Sequence, residues 1–190
     1  MTVRLTRIYT RTGDEGTTAL GDMSRVPKVD PRVGAYADCD EANAALGMAI
    51  ALGNLSDEVS AVVRTVQNDL FDVGADLCTP ISDDPKHPPL RVDQEQVDRL
   101  EKHCDKFNAD LPKLDSFILP GGTAGGALLH NARAVARRAE RSAWFAAETF
   151  DINRLALRYL NRLSDLLFIL ARAENPDGDI KWIPGGDRTL

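Results

Sequence analysis

The chain is predicted to be all-α: a five-helix bundle behind a largely extended N-terminal arm. Three observations carry this. Leu and Ala recur at three- and four-residue steps through the long segments, as one buried helix face requires. Residues that cap helices precede those segments, and Gly or Pro follows most of them. Segments with strand character are nearly absent. All 190 residues read as one domain, long enough for a proper core.

Residues 1–33 are polar and turn-rich, with Pro27 and Pro31, and read as the arm. "DEANAALGMAIALG" then predicts a helix from about Tyr36 to Gly53, stopped by Gly53-Asn54. "SDEVSAVVRTVQNDLFDVGADLC" follows, with Ser56 as N-cap and an end near Cys78. "TPISDDPKHPPL" holds four prolines in twelve residues and is neither helix nor central strand. In "VDQEQVDRLEKHCDKF", Asp93 caps, Gln96 takes the reciprocal position, and Val92 can staple onto Val97. "LDSFILPGGTAGG" is a short apolar run closed by a proline-glycine loop. Two long helices end the pattern, about Ala124–Glu148 and Asn153–Glu174, separated by "TFDI", with Asp151 expected to cap the second. Along that last helix Ala156, Tyr159, Leu160, Leu163, Leu166, Leu167 and Leu170 form an apolar stripe. Residues 177–190 are expected to be a mobile tail, with docking through the apolar "WIPGG" stretch as the alternative.

A formal charge of −6 and a pI near 5.1 argue against a nucleic-acid or membrane-surface binder, which would be basic. Cys39, Cys78 and Cys104 lack metal-type spacing and read as reduced thiols. No early run resembles a signal peptide and no stretch suits a bilayer span, so a cytoplasmic protein is expected. The only histidines are His87, His103 and His130, and no Glu-x-x-His pair supports a di-iron bundle.

Three stretches bear on chemistry. "TRTGDEGTT" is either a surface turn or an anion cradle, in which Gly13 and Gly16 let backbone N–H groups converge on a phosphate. In "HNARAVARRAERSAW", Arg133, Arg137, Glu140 and Arg141 share an arc of roughly 100° on an ideal helix, while Arg138 points away. That arc is either a solvated face or an excess of planar cations suited to polyphosphate. In "YLNRLSDLLF", Asn161 and Asp165 lie one turn apart between Arg158 and Arg162, as ligand contacts or as a helix-to-helix network. "LPGGTAGGA" is no Walker A loop, because Ala127 and Leu128 follow its last glycine, though it offers backbone N–H groups. No nucleophile–base pair is evident.

In order, spacing and wording, "YTRTGDEGTTALGD…PKVDPRVGAYADCDEANAALG", "FILPGGTAGGALLHNARAVARRAER" and "YLNRLSDLLFILAR" resemble the PduO-type ATP:cob(I)alamin adenosyltransferases over nearly the whole chain. The resemblance implies a homotrimer with active sites between subunits. It implies transfer of the 5′-deoxyadenosyl group of ATP to cob(I)alamin, with Mg²⁺, giving adenosylcobalamin and triphosphate. By the same resemblance Thr10, Arg11, Thr12, Gly13, Asp14, Glu15, Gly16, Thr17, Thr18 and Ala19 wrap the ATP phosphates, with Lys28 beside them. Arg137, Arg138, Ala139, Glu140, Arg141 and Asn161 match a second ATP-contacting group. Arg133 matches an arginine that pairs across the interface with an aspartate, here Asp40, and Phe117 an aromatic at the corrin that excludes the lower axial base. Arg137 and Phe117 are thus the expected catalytic pair. A cob(II)alamin reductase and an adenosylcobalamin-dependent enzyme are the implied partners. Glu15 stands where many members have Lys, which shifts ATP affinity toward metal and backbone contacts. The rival readings are an ATP- or corrinoid-binding sensor or delivery chaperone without turnover, and a purely structural bundle.

Overall fold

The computed structural model describes residues 8–85 and 87–188. Its elements run β1 (Thr17–Ala19), β2 (Arg25–Pro27), α1 (Pro31–Leu52), α2 (Asp57–Cys78), α3 (Gln94–Asn108), α4 (Ala124–Ala147) and α5 (Arg154–Ala173), with a short 3₁₀ turn at Gly185–Asp187. The five α-helices are those expected, and a small hairpin forms within the arm, which was expected to be largely extended; the arm's first seven residues lie outside the described residues. No helix among the described residues is long and apolar enough to cross a membrane.

Local chemistry explains the boundaries. α1 starts at Pro31, about a turn before the predicted Tyr36, because the Asp30 carboxylate accepts from the Arg32 N–H and Pro31 occupies the first helical turn, where no N–H is missed. Ser56 caps α2, and α3 carries the predicted reciprocal box between Asp93 and Gln96. For α5 the cap is Asn153, whose Oδ1 accepts from the Leu155 N–H, in place of the expected Asp151. Asn153 also donates to Asp76, so one side chain caps the helix and anchors it.

α4 packs between α1 and α5, α2 lies along α1, and α3 lies along α5. α1 and α4 pack against each other, and both bury small residues: Ala35, Cys39, Ala42, Ala45 and Ala49 on α1 and Ala132, Ala136, Ala139, Ala143 and Ala146 on α4 are all essentially inaccessible. Small side chains let the two helices approach closely, which fixes where the exposed side of α4 points. α5 supplies the bulk, with Tyr159, Leu160, Leu163, Leu166, Leu167 and Leu170 buried, each such Leu contributing about 2 kcal/mol of transfer free energy.

Two buried carboxylates join elements that apolar contact alone would leave free to slide. Asp69 on α2 accepts from the Tyr159 hydroxyl on α5 at 2.9 Å and from Arg99 on α3 at 2.8 Å. Asp76, near the end of α2, accepts from the Val92 N–H, from Asn153 Nδ2 and from Arg91 at 2.8, 2.6 and 2.6 Å. Arg91 also donates to the Thr79 and Pro80 carbonyls, so the proline-rich segment is fastened at its base.

The hairpin docks on this same end of α2, where the Gly21 N–H donates to the Cys78 carbonyl at 3.0 Å. A β-carbon on Gly21 would lie 2.1 Å from Thr79 Oγ1, so only glycine permits that approach. Within its turn the Asp22 carboxylate accepts from the Ser24 hydroxyl and N–H, which hold its pKa below the ordinary carboxylate value.

Candidate active site

The loop before β1 has the shape an anion cradle needs. Arg11 sits at φ 61° and Gly16 at φ 75°, two left-handed positions that bracket the turn. Inside it the Asp14 N–H reaches the Arg11 carbonyl and the Gly16 N–H the Gly13 carbonyl. The Thr10 and Thr12 hydroxyls are 2.9 Å apart. Asp14 and Glu15 are exposed at the tip, and Thr17, Thr18 and Ala19 form the half-buried first strand.

The hairpin brings Lys28 back onto this loop. The Lys28 N–H donates to the Gly16 carbonyl at 2.9 Å, and a β-carbon on Gly13 would come within 3.2 Å of Lys28 Nζ. Lys28 and the two glycines thus form one surface, which supports the cradle over the plain turn. Arg25 on β2 also reaches the loop, donating to the Thr12 carbonyl at 2.5 Å and to the Thr17 hydroxyl. Sequence reasoning passed over Arg25; its signal was the turn chemistry at Asp22–Ser24, which folds β2 back along β1.

On α4, Arg137 and Arg141 are exposed on one side, while Arg133 is half-buried behind them. Burial, then repulsion from Arg137, lowers the Arg133 pKa, and its Nε has no hydrogen-bond partner among the described residues of the chain. Its guanidinium lies 5.8 Å from the Phe168 ring centroid. Asp40, its expected partner across the interface, is exposed on α1.

Arg138 turns the other way, as its helical angle requires, and pairs with Asp38 and Glu41 on α1. Ala139 is fully buried in the α1–α4 seam, so its side chain serves packing. Glu140 accepts from Asn161 Nδ2 at 3.0 Å, the helix-to-helix contact between α4 and α5. Arg158 and Arg162 reach toward α3 instead, Arg158 to Gln94 and Arg162 to Glu101 and its own neighbour Asp165. No hydrogen bond or ion pair among the described residues joins the loop to the α4 arginines.

At the end of the proline-glycine loop two of the backbone donors are already engaged. Thr123 caps α4 by accepting from the Gly126 N–H, and the Thr123 N–H goes to Asn175 Oδ1 at 2.9 Å. Asn175 fills the space that side chains on Gly122 and Gly126 would need. These glycines serve close packing at the end of α5.

Phe117 is 79% exposed, yet it has a partner. The chain after α5 pairs antiparallel with its segment through an isolated Ile118–Lys181 bridge. The Leu119 N–H donates to the Ile180 carbonyl, and the Trp182 N–H to the Phe117 carbonyl. Lys181 pairs with Asp115, and Arg172, almost wholly buried, holds Asp179 at 2.7 Å. The segment expected to be a mobile tail is therefore bonded to the bundle as far as Trp182, and it brings the Trp182 indole edge-on to Phe117. The apolar WIPGG stretch could be read as able to dock, but a bridge between distant segments leaves no local pattern to say where.

A groove of about 310 Å³ lies on the α1–α2 face, lined by Asn43, Arg64, Gln67, Asn68 and Phe71. None of the candidate residues lines it, and Asn43 and Gln67 there already bond each other's backbone.

The profile of the family described as Cobalamin adenosyltransferase matches residues 8–174. The Corrinoid adenosyltransferase of Mycobacterium tuberculosis is 64% identical over 191 residues, covering 100% of this chain and 99% of that protein. The Cobalamin adenosyltransferase of Cupriavidus metallidurans is 43% identical over 182 residues, 94% of this chain and 95% of the other. Among solved structures, a variant of the PduO-type ATP:corrinoid adenosyltransferase from Lactobacillus reuteri, complexed with cobalamin and ATP, superposes with a TM-score of 0.86. It shares 37% identity and covers 93% of this chain and 96% of that one.

Proposed function

The chain belongs to the cobalamin adenosyltransferase family, and from that premise we propose that it transfers the 5′-deoxyadenosyl group of ATP to the Co(I) centre of cob(I)alamin. The cobalt electron pair attacks C5′, the C5′–O bond breaks, a Co–C bond forms, and triphosphate leaves. The substrate itself is the nucleophile, so the protein's work is binding, orientation and stabilisation of the leaving charge.

The observation that carries this reading is the Gly13–Gly16 loop with Lys28 folded against it. Two left-handed residues and a lysine at one turn are the parts from which a backbone nest for phosphate is built. In our reading Thr10 to Ala19 and Lys28 hold the triphosphate, and Arg137 and Arg141 supply the planar cations that face its growing charge. Glu140 and Asn161, bonded to each other, hold the α4–α5 side of the site.

We place the complete site between copies of the chain in a homotrimer. Two observations support this: no hydrogen bond or ion pair among the described residues joins the loop to the α4 arginines, and the Nε of half-buried Arg133 has no hydrogen-bond partner among them. A neighbouring Asp40 would satisfy it. Mg²⁺ is bound in such reactions through substrate phosphates and one or two carboxylates. Asp14 and Glu15, exposed at the loop tip, fit that donor set, and the ion would offset phosphate charge there. Phe117 and the tail beside it form an apolar wall that suits the corrin's lower face. Excluding a lower axial ligand makes Co(II) easier to reduce to Co(I). A cob(II)alamin reductase upstream and an adenosylcobalamin-dependent enzyme downstream complete the proposal, in the cytoplasm.

The test is anaerobic incubation with chemically reduced cobalamin, ATP and Mg²⁺, followed by visible spectroscopy and triphosphate assay. Light-sensitive adenosylcobalamin with one triphosphate per turnover is expected. Arg137→Ala is expected to cut kcat by about 10²-fold, the usual loss on removing a donor aimed at developing charge, with assembly unchanged by sedimentation. Binding of both substrates without a Co–C bond would favour the sensor or delivery role instead.

A further inference from the structure

We propose that Arg25 is a positioning residue for this reaction: it ties the Thr12 carbonyl to the Thr17 hydroxyl and so sets the shape and donor direction of the phosphate loop. The inference rests on the functional reading above.

The hairpin register puts Arg25 there. β1 and β2 pair antiparallel with Ala19 opposite Arg25 and Thr17 opposite Pro27. Thr17 and Ala19 lie on one face of β1, so Thr17 is the diagonal neighbour of Arg25 on that face. From that position the long side chain crosses Thr17 and continues to Thr12, spanning the turn that contains Gly13, Asp14, Glu15 and Gly16. The opposite flank is closed by the Lys28 N–H on the Gly16 carbonyl. β2 and the residue after it therefore clasp the loop at three points.

The residue type matters. A single Nη2 carries two hydrogens in a fixed plane, one for each acceptor, whereas an ammonium is a point charge on a flexible stem. The bond to Thr17 has a chemical consequence. With its oxygen accepting from Arg25, the Thr17 hydroxyl has its own proton left to give, and a phosphate oxygen is the natural acceptor in that concavity. Arg25 thus orients a donor while Lys28 supplies the charge.

Because these bonds lie at the surface and outside the helical core, their loss is expected to be read in ligand binding rather than in folding. Arg25→Ala, Arg25→Lys, Thr17→Val and the Arg25→Ala/Thr17→Val double variant would be assayed for KM of ATP, kcat, inhibition by inorganic tripolyphosphate, and Tm. Both Arg25 variants are expected to raise the ATP KM and the tripolyphosphate inhibition constant together by about tenfold, the scale of one charge-assisted hydrogen bond. kcat at saturating ATP should stay within about twofold and Tm within about 2 °C, and the double variant should lose little more than the worse single one. Wild-type behaviour of Arg25→Lys would overturn the proposal, since charge alone would then suffice. Full additivity of Arg25→Ala and Thr17→Val, or a collapse of Tm in the Arg25 variants, would overturn it as well. A wild-type protein that neither turns over nor binds tripolyphosphate would sink the functional reading first, which the wild-type arm reports separately.

Discussion

Trp182 donates its backbone N–H to the Phe117 carbonyl at 2.8 Å, and the two rings meet edge to face with centroids 6.1 Å apart. The segment after α5 and the segment before α4 are thereby one surface. Trp182→Ala removes half of that aromatic pair and leaves the backbone bridge. An edge-to-face pair is worth about 1 kcal/mol beyond its buried area, so the KM for cobalamin is expected to rise about fivefold. The KM for ATP should not move. Steady-state kinetics with each substrate varied in turn checks this.

Asp179 holds the tail to the bundle through Arg172, whose side chain is 4% exposed. Removing the carboxylate strands a buried guanidinium that retains, among the described residues, the Pro112 carbonyl. Asp179→Ala is expected to destabilise the fold by about 3 kcal/mol, the usual cost of breaking a buried pair from one side. Urea unfolding followed by circular dichroism measures it. Truncation after Pro176 should cost at least as much, although a chain end is commonly dispensable.

Gly122 combines φ 97° with a β-carbon position 2.2 Å from Asn175 Oδ1. Gly122→Ala must therefore strain the backbone and push Asn175 off the Thr123 N–H. A loss of about 2 kcal/mol or more is expected, again by urea unfolding. Gly121→Ala, where no atom lies within contact range, is the matched control.

His130 is buried on α4 beside Phe168, and neither ring nitrogen has a partner among the described residues. Burial first, then the charge of Arg133, lowers its pKa from 6.5, while Asp179 acts in the opposite sense. The folded state thus binds the proton more weakly than the unfolded chain does. This contribution to stability is complete above about pH 6.5 and is lost as pH falls through the depressed folded value. His130→Gln should flatten the slope of Tm against pH below about 6.5 and leave it unchanged above. A thermal unfolding series across that range decides it.

Much of the fold was legible because helices of this length carry their own period. The α5 stripe and the Asp93–Gln96 box were read residue for residue. Errors came where two local signals competed or where none existed. In sequence, Asp30-Pro31 belongs to a turn-rich, proline-containing stretch that reads as extended, although a capping acid before proline also opens a helix. Three-residue strands carry no period, so the hairpin was missed, and with it the reason Lys28 meets Gly13. Angular spacing alone separated Arg138 from the other arginines, and the ion pairs with Asp38 and Glu41 give the cause. The 118–181 bridge is non-local and could not be inferred from either segment.

The seated tail has a practical consequence. The chain has two tryptophans, and they lie in different settings: Trp144 under the Arg154 guanidinium on α4, Trp182 against Phe117. Trp144→Phe would leave a single indole emitter, placed on the very segment that must move if a bulky planar ligand displaces it. The protein then carries its own optical gauge, in which a red shift and stronger acrylamide quenching report an unseated tail without any attached dye.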